Sequence, residues 1–304
     1  MTDLSRRTML AGAAALAPAS ALAPAFAQTP PRYSQASVIS NPPRMWGPDA
    51  PPVMFPDPDV LVVDPSFDNL RIGLSAIHRV GTGYQWAEGP AWSAQGNYVV
   101  FSDVQGSTQY RYIWETGAIT PHRKESFNAN GNAFDFQGRQ ISAQDFFRRV
   151  VRWEHDGSMT VIADNYQGKP LNSPNDFAVH PDGSIWFTDP YYGGQLSEGH
   201  PDLGDSPFNA GGLRDPRPGN QGSGIIGSQK QVLPTQIYRW DPSGRLDVVA
   251  TGKVPNGLAF SPDYKLLYFL FGADVMVGDV ANGKLSNIRT FSDLMVDGVK
   301  CGGD

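Results

Sequence analysis

The strongest constraint on this sequence is a phrase that it repeats. Glu88-Gly89-Pro90-Ala91-Trp92, Asn130-Gly131-Asn132-Ala133-Phe134, Asn175-Asp176-Phe177-Ala178-Val179, Asn256-Gly257-Leu258-Ala259-Phe260 and Asp297-Gly298-Val299-Lys300-Cys301 share one grammar. Each opens on an amide or an acid, usually followed by Gly, and runs into an apolar strand. A repeat at a near-constant interval decides the fold class before any single element does. With the opening residue as position zero, Gly stands at plus eight in the first three copies (Gly96, Gly138, Gly183), and Tyr264 takes that place in the fourth. Apolar or aromatic strands follow at 98–101, 140–143, 185–188 and 266–269, and an acid closes three of them: Asp103, Asp145 and Asp189. Third strands read at 110–114, 150–153, 237–240 and 275–277, and fourth strands at 159–163 and 246–250, with Gly/Asp turns between.

Four short strands per unit, joined by such turns, predict the blade of a β-propeller and an all-β fold. The 33 Gly and 26 Pro of this 304-residue chain favour turns over long helices. The openings lie 42, 45, 81 and 41 residues apart. The long interval predicts one blade plus a Gly/Pro/Asp/Ser-rich loop inserted at about 192–230, over one face. The Gly-rich 219–227 lacks the order and the strand–helix context of a phosphate-binding loop. The fifth copy starts at Asp297 and the sequence stops at Asp304, so the expectation is four blades and the start of a fifth, incomplete at the C-terminus. Residues 74–80 are a candidate outer strand for a last blade.

Ahead of the repeat, Ser5-Arg6-Arg7-Thr8-Met9-Leu10 is a twin-arginine signature, followed by an Ala-rich run and the small-x-small site Ala25-Phe26-Ala27. The run is too short and too rich in Ala for a stable membrane span. Residues 1–27 are therefore expected to be a cleaved signal, handled by the twin-arginine export machinery, which leaves a bacterial periplasmic protein with no membrane attachment. Residues 28–67 read as a Pro-rich arm or linker, and 68–304 as the propeller. A net charge of −6 without a basic stripe argues against a nucleic-acid partner. Cys301 is the only cysteine, which excludes an internal disulfide and a Cys metal site; it is expected in the core.

In a propeller the innermost strand of each blade lines the channel, so Glu88, Asn130, Asn175, Asn256 and Asp297 are expected to converge on one axis near one mouth. All five offer hard oxygens, the ligands that Ca²⁺ or Mg²⁺ prefers and that Mn²⁺ or Zn²⁺ also accepts. The Gly after four of them lets backbones crowd the axis. Taken singly, Asn-Gly and Asp-Gly are turn dipeptides. Jointly, and with Glu in a place where no turn needs it, they shift the balance toward one shared divalent cation, with the turn reading still open. The five histidines show no metal-ligand spacing, and no G-x-S-x-G elbow is present. His180 is expected at the surface and Arg148-Arg149 on a solvated edge, while Trp92, Trp153, Trp186 and Trp240 are expected to pack between blades.

At these residues the chain resembles the senescence-marker-protein/gluconolactonase family, the regucalcin-like six-bladed propellers. The phrases that carry the likeness are Ala87–Trp92, Leu171–Asp176 with Asp182–Pro190, Val254–Gly257 with Phe260–Asp263, and Asp297–Cys301. The resemblance implies that Glu88, Asn256 and Asp297 are metal ligands, with Asn175 contacting substrate and able to join the metal shell. It implies Asp297 as proton acceptor and donor, and Asn175, Ser173 and Asn130 as substrate-binding residues. The implied activity is hydrolysis of a small-molecule sugar lactone or similar cyclic ester, with a divalent cation, Ca²⁺ foremost, polarising the carbonyl. Competing readings are a propeller that binds a ligand or a protein without catalysis, an inactive fragment of the lactonase, and a related hydrolase of phosphoesters or larger lactones.

Overall fold

The computed structural model describes residues 44–62, 64–71, 73–190, 192, 231–294 and 296–301. The expected signal and nearly all of the 192–230 insertion lie outside them. Among the described residues the chain forms four four-stranded antiparallel sheets, each a simple meander in sequence order. Sheet 1 is β1 (Ala87–Ser93), β2 (Tyr98–Asp103), β3 (Thr108–Ile113) and β4 (Ile119–Lys124). Sheet 2 is β5 (Ala129–Phe134), β6 (Gln140–Gln144), β7 (Arg149–Trp153) and β8 (Met159–Ala163). A small hairpin, β9 (Asn165–Tyr166) and β10 (Lys169–Pro170), turns through Gln167 and Gly168, both at positive φ. Sheet 3 is β11 (Phe177–Val179), β12 (Ile185–Asp189), β13 (Gln236–Trp240) and β14 (Leu246–Thr251). Sheet 4 is β15 (Pro255–Phe260), β16 (Leu266–Phe271), β17 (Asp274–Ala281) and β18 (Lys284–Ser292). Each sheet is one repeat unit, as the sequence predicts.

The first strands stand side by side. β1 packs on β5, β5 on β11, and β11 on β15. This is the radial arrangement of a propeller-like fold, in which the inner strands share an axis. Two apolar clusters fill the gaps between sheets. One joins sheets 2 and 3 through Ile141, Val150, Phe177, Phe187 and Tyr238. The other joins sheets 3 and 4 through Trp186, Ile237, Leu258, Leu267 and Phe269. Burial of such side chains, at about 1.5–3 kcal/mol each, holds successive sheets together. Between sheets 1 and 2 the contact is polar instead, with buried Ser102, Gln109, Asn132, Gln140 and Ser142.

Among the described residues before β1 there is a single 3-10 turn, Pro65–Asn69. Residues 74–80 form no strand: Ile77 instead donates its N–H to Asp57 Oδ2 at 2.7 Å. Asp57 is 2 % exposed and also takes Arg44 Nη2 at 2.9 Å, which ties this segment into a knot of its own. Further expectations fail. Cys301 is exposed rather than in the core. Trp92 is 47 % exposed and meets Trp114 edge to face instead of a neighbouring sheet. Arg148 is buried, with its Nε on the Asn172 carbonyl at 2.8 Å, so it is no solvated edge. His180 is half-buried, packed on Phe260 and Tyr264. No helix among the described residues is long and apolar enough to cross a membrane.

Candidate functional site

β-Bulges stand at or right beside the opening dipeptides. The β1–β2 register shifts between Glu88 and Ala91, β5–β6 between Ala129 and Asn132, and β15–β16 between Pro255 and Leu258. In the third unit Asn175 and Asp176 both bond to one residue: Asn175 N donates to the Thr188 carbonyl and Thr188 N to that of Asp176. An extra residue at this point bends the strand and re-aims its side chain. The device falls on Asn130-Gly131 and Asn256-Gly257 themselves, and one residue later, on Gly89-Pro90 right after the paired Glu88, in the first unit.

The next residue sets the spacing between units. Gly131 N donates to the Asn175 carbonyl at 3.0 Å, and Gly257 N to that of Asp297 at 3.3 Å. A Cβ on Gly89 would stand 2.4 Å from the Asn130 carbonyl oxygen, and one on Gly131 1.9 Å from that of Asn175. Only Gly permits this approach. Asp297 therefore stands to Gly257 as Asn175 stands to Gly131.

Side chains then link across the units. Asn175 Nδ2 donates to Asn256 Oδ1, and Asn256 Nδ2 to Asp297 Oδ1, both at 2.8 Å. Glu88 completes the group from β1. Its Oε1 takes the Trp86 indole N–H and its Oε2 the Gly89 amide, both at 3.3 Å. Burial, reinforced by the charges of Asp297 and Asp176, pushes the Glu88 carboxyl up to about 7. Asp176 is also raised, by burial first and by Asp297, against the opposing pull of Lys300.

Three carboxylates thus share one field with a single ammonium, and two amide oxygens stand among them. That surplus of negative charge around hard oxygen donors fits a divalent cation. Glu88, Asn256 and Asp297 could hold such an ion, with Asn175 beside them. Among the described residues no three His, Cys, Asp or Glu side chains gather tightly enough to hold a metal alone.

The two remaining expected residues lie differently. Asn130 is 1 % exposed, and its carbonyl accepts from Asn132 Nδ2 at 3.2 Å while abutting Gly89. Ser173 is 2 % exposed, and its hydroxyl donates to Asp145 Oδ1 at 2.8 Å. Its N–H donates to Asp189 Oδ1 at 2.8 Å. Asp189 is fully buried, and burial raises its carboxyl to about 7 against two backbone N–H donors and Arg148. The sequence reading passed over Asp176, Trp86 and Lys300. Asp176 carried a signal, since it replaces the Gly that follows every other opening residue.

The family model for the SMP-30/gluconolactonase/LRE-like region matches residues 86–301, more than two thirds of the chain. The chain belongs to this family. All the site residues named above fall inside the SMP-30/gluconolactonase/LRE-like region. A gluconolactonase of Zymomonas mobilis is 28 % identical over 220 residues, covering 67 % of this chain and 54 % of that protein. Regucalcin of Xenopus laevis is 26 % identical over 218 residues, covering 70 % and 62 %. The chain thus spans little more than half the length of these relatives. Among solved structures, a Xanthomonas campestris gluconolactonase superposes with a TM-score of 0.60 at 30 % identity, covering 73 % of this chain and 68 % of that one.

Proposed function

We propose that this protein hydrolyses a sugar lactone or a similar cyclic ester at the mouth formed by Glu88, Asn175, Asn256 and Asp297. One observation carries the reading: the unbroken link Asn175–Asn256–Asp297, two 2.8 Å bonds across three units, set beside Glu88. Membership of a family whose relatives include gluconolactonases supports the substrate class. Glu88, Asn256 and Asp297 would hold a divalent cation, Ca²⁺ foremost, which when bound would supply Lewis-acid polarisation of the lactone carbonyl and charge for the developing oxyanion.

The side chains divide the remaining work. Asp297 is exposed, and its Oδ1 is fixed by Asn256, which leaves its carboxylate turned to incoming water. It accepts a proton as the water oxygen adds to the carbonyl carbon, then returns that proton to the ring oxygen as the C–O bond breaks. The product is the open hydroxy acid. Asn175 orients the substrate from the neighbouring unit. Asn130 and Ser173 support it from behind, given their burial. The four sheets are consecutive blades of a six-bladed ring in which Asp297 opens the next blade. The twin-arginine signature at residues 5–10 supports a periplasmic setting for the reaction.

The test is lactone hydrolysis by the full chain after chelation, with Ca²⁺, Mg²⁺, Mn²⁺ or Zn²⁺ restored in turn. Asp297→Ala is expected to lose at least 100-fold in kcat, in line with removal of a general base, on the order of 10²–10⁴-fold. Full activity in Asp297→Ala would sink its role, and activity indifferent to chelation would sink the cation.

A further inference from the structure

The closing acids of the repeat have no part in the reaction just described, yet two of them make the same unusual contact. Asp103 Oδ1 accepts the backbone N–H groups of Gln85 at 3.1 Å and Trp86 at 2.9 Å. Those residues lie three and two positions before Glu88. Asp189 accepts the N–H groups of Asn172 on Oδ2 and Ser173 on Oδ1, both at 2.8 Å. Those lie three and two positions before Asn175. Both acids are buried, at 5 % and 0 % exposure. Burying a carboxylate is costly unless its oxygens are bonded, so a repeat that needed only a turn here would use neutral groups. Sheet 4 does so: Gly272 N donates to the Val254 carbonyl at 2.7 Å. Asn256 in that unit is already held on both sides, by Asn175 and Asp297.

The grip continues to the site. Asp103 and the Val104 N–H hold the Trp86 backbone from both ends, and the Trp86 indole reaches Glu88 Oε1. In the third unit the Asn172–Ser173 segment is also held by Arg148 on the Asn172 carbonyl and by Asp145 on the Ser173 hydroxyl. Asn175 follows two residues later. We propose that Asp103 and Asp189 are positioning residues, Asp103 aiming Glu88 at the cation and Asp189 aiming Asn175 at the substrate. This rests on the roles given above to Glu88 and Asn175. Ser173 then belongs to the clamp, not to the substrate surface.

The two clamps use their oxygens differently, which makes the test sharp. Asp103 bonds both amides through one oxygen, which Asn retains. Asp189 spends one oxygen on each amide, so Asn presents an N–H₂ to one of them. Ca²⁺ affinity is read by calorimetry and KM by lactone hydrolysis. Loss of an outer support costs a metal site about 10–100-fold in affinity. Asp103→Ala is expected to weaken Ca²⁺ about 10-fold, with Asp103→Asn within about twofold of wild type. Asp189→Asn is expected to raise KM by a similar factor while Ca²⁺ affinity moves far less. A purely structural role would shift both quantities together or neither, and either result overturns the proposal. If Asp189→Asn does not fold, the Asp103 pair decides: equal Ca²⁺ affinity in Ala and Asn variants overturns it. If the wild type neither binds Ca²⁺ nor opens a lactone, the functional reading fails separately. Crystal structures of Asp103→Ala and Asp189→Asn then judge the clamps: Trp86–Glu88 and Asn175–Asn256 contacts kept as in wild type overturn them.

Discussion

Sheets 1 and 2 meet through hydrogen bonds, and sheets 3 and 4 through oil. At the first seam Asn132 donates to the Gly89 carbonyl at 3.0 Å and to Ser102 Oγ at 2.9 Å. Its Oδ1 accepts from Gln109 Nε2 at 2.7 Å, Gln140 Nε2 at 2.9 Å and Ser142 Oγ at 2.8 Å. At the other seam Trp186, Leu258, Leu267 and Phe269 interlock, and Trp186 meets Phe260 edge to face at 5.4 Å. Both seams set inner strands side by side and present a bulged opening residue to the axis. They differ in what they determine. Apolar packing holds two sheets together without fixing a direction. A buried, satisfied network fixes direction, here by gripping the Gly89 carbonyl right behind Glu88. Where the seam is apolar, direction comes from the site itself, through Asn175, Asn256 and Asp297.

That contrast can be broken in several ways, taken here by decreasing effect. Trp186→Ala should destabilise the protein by about 3–5 kcal/mol in denaturant unfolding, as a large cavity does. A loss under about 1 kcal/mol would mean that the apolar seam does not hold the sheets. Asn132→Leu keeps the branched shape and strands the partners of the amide, so about 2–3 kcal/mol should be lost. A neutral result would show that the polar seam is only tolerated. Gly131→Ala forces a Cβ onto the Asn175 carbonyl, at an overpacking cost of about 1–3 kcal/mol, and should lower lactone turnover more than its stability cost explains.

The smallest effect is on pH. In cation-free protein the folded Glu88 holds a proton up to about pH 7 that the unfolded chain gives up near its ordinary value of 4.5. The folded state binds more protons in that window, so stability is full below it and falls as pH rises through it. Thermal melts after chelation should show this slope, and Glu88→Gln should flatten it. An unchanged slope in the variant would place the charge strain elsewhere.

Much of this frame was legible because turn chemistry and strand alternation are local. The strand expected at 159–163 is Met159–Ala163, and the one expected at 185–188 is Ile185–Asp189. Convergence of the openings followed from repeat symmetry. The bulges were not legible, since a bulge is a relation between two strands and neither strand alone records it. The partner of Ser173 was not legible for a similar reason: its hydroxyl donates to Asp145 of the preceding unit. Trp92 and Phe260 both stand at plus four on the first strand of their units, yet one is 47 % exposed and the other 8 %. Repeat position fixes the face a side chain takes but not what covers that face.

The hand-off from each glycine to the next opening residue has a consequence for how such a chain can vary. Gly89 is pressed on Asn130, Gly131 on Asn175, and Gly257 on Asp297. A substitution after one opening residue is therefore felt at the opening residue of the following unit. The units cannot drift, be exchanged or be duplicated one at a time without disturbing a neighbour's side chain. Compensating changes should come in staggered pairs that straddle a boundary. A repeat that looks modular on the page is, in inheritance, a linked series.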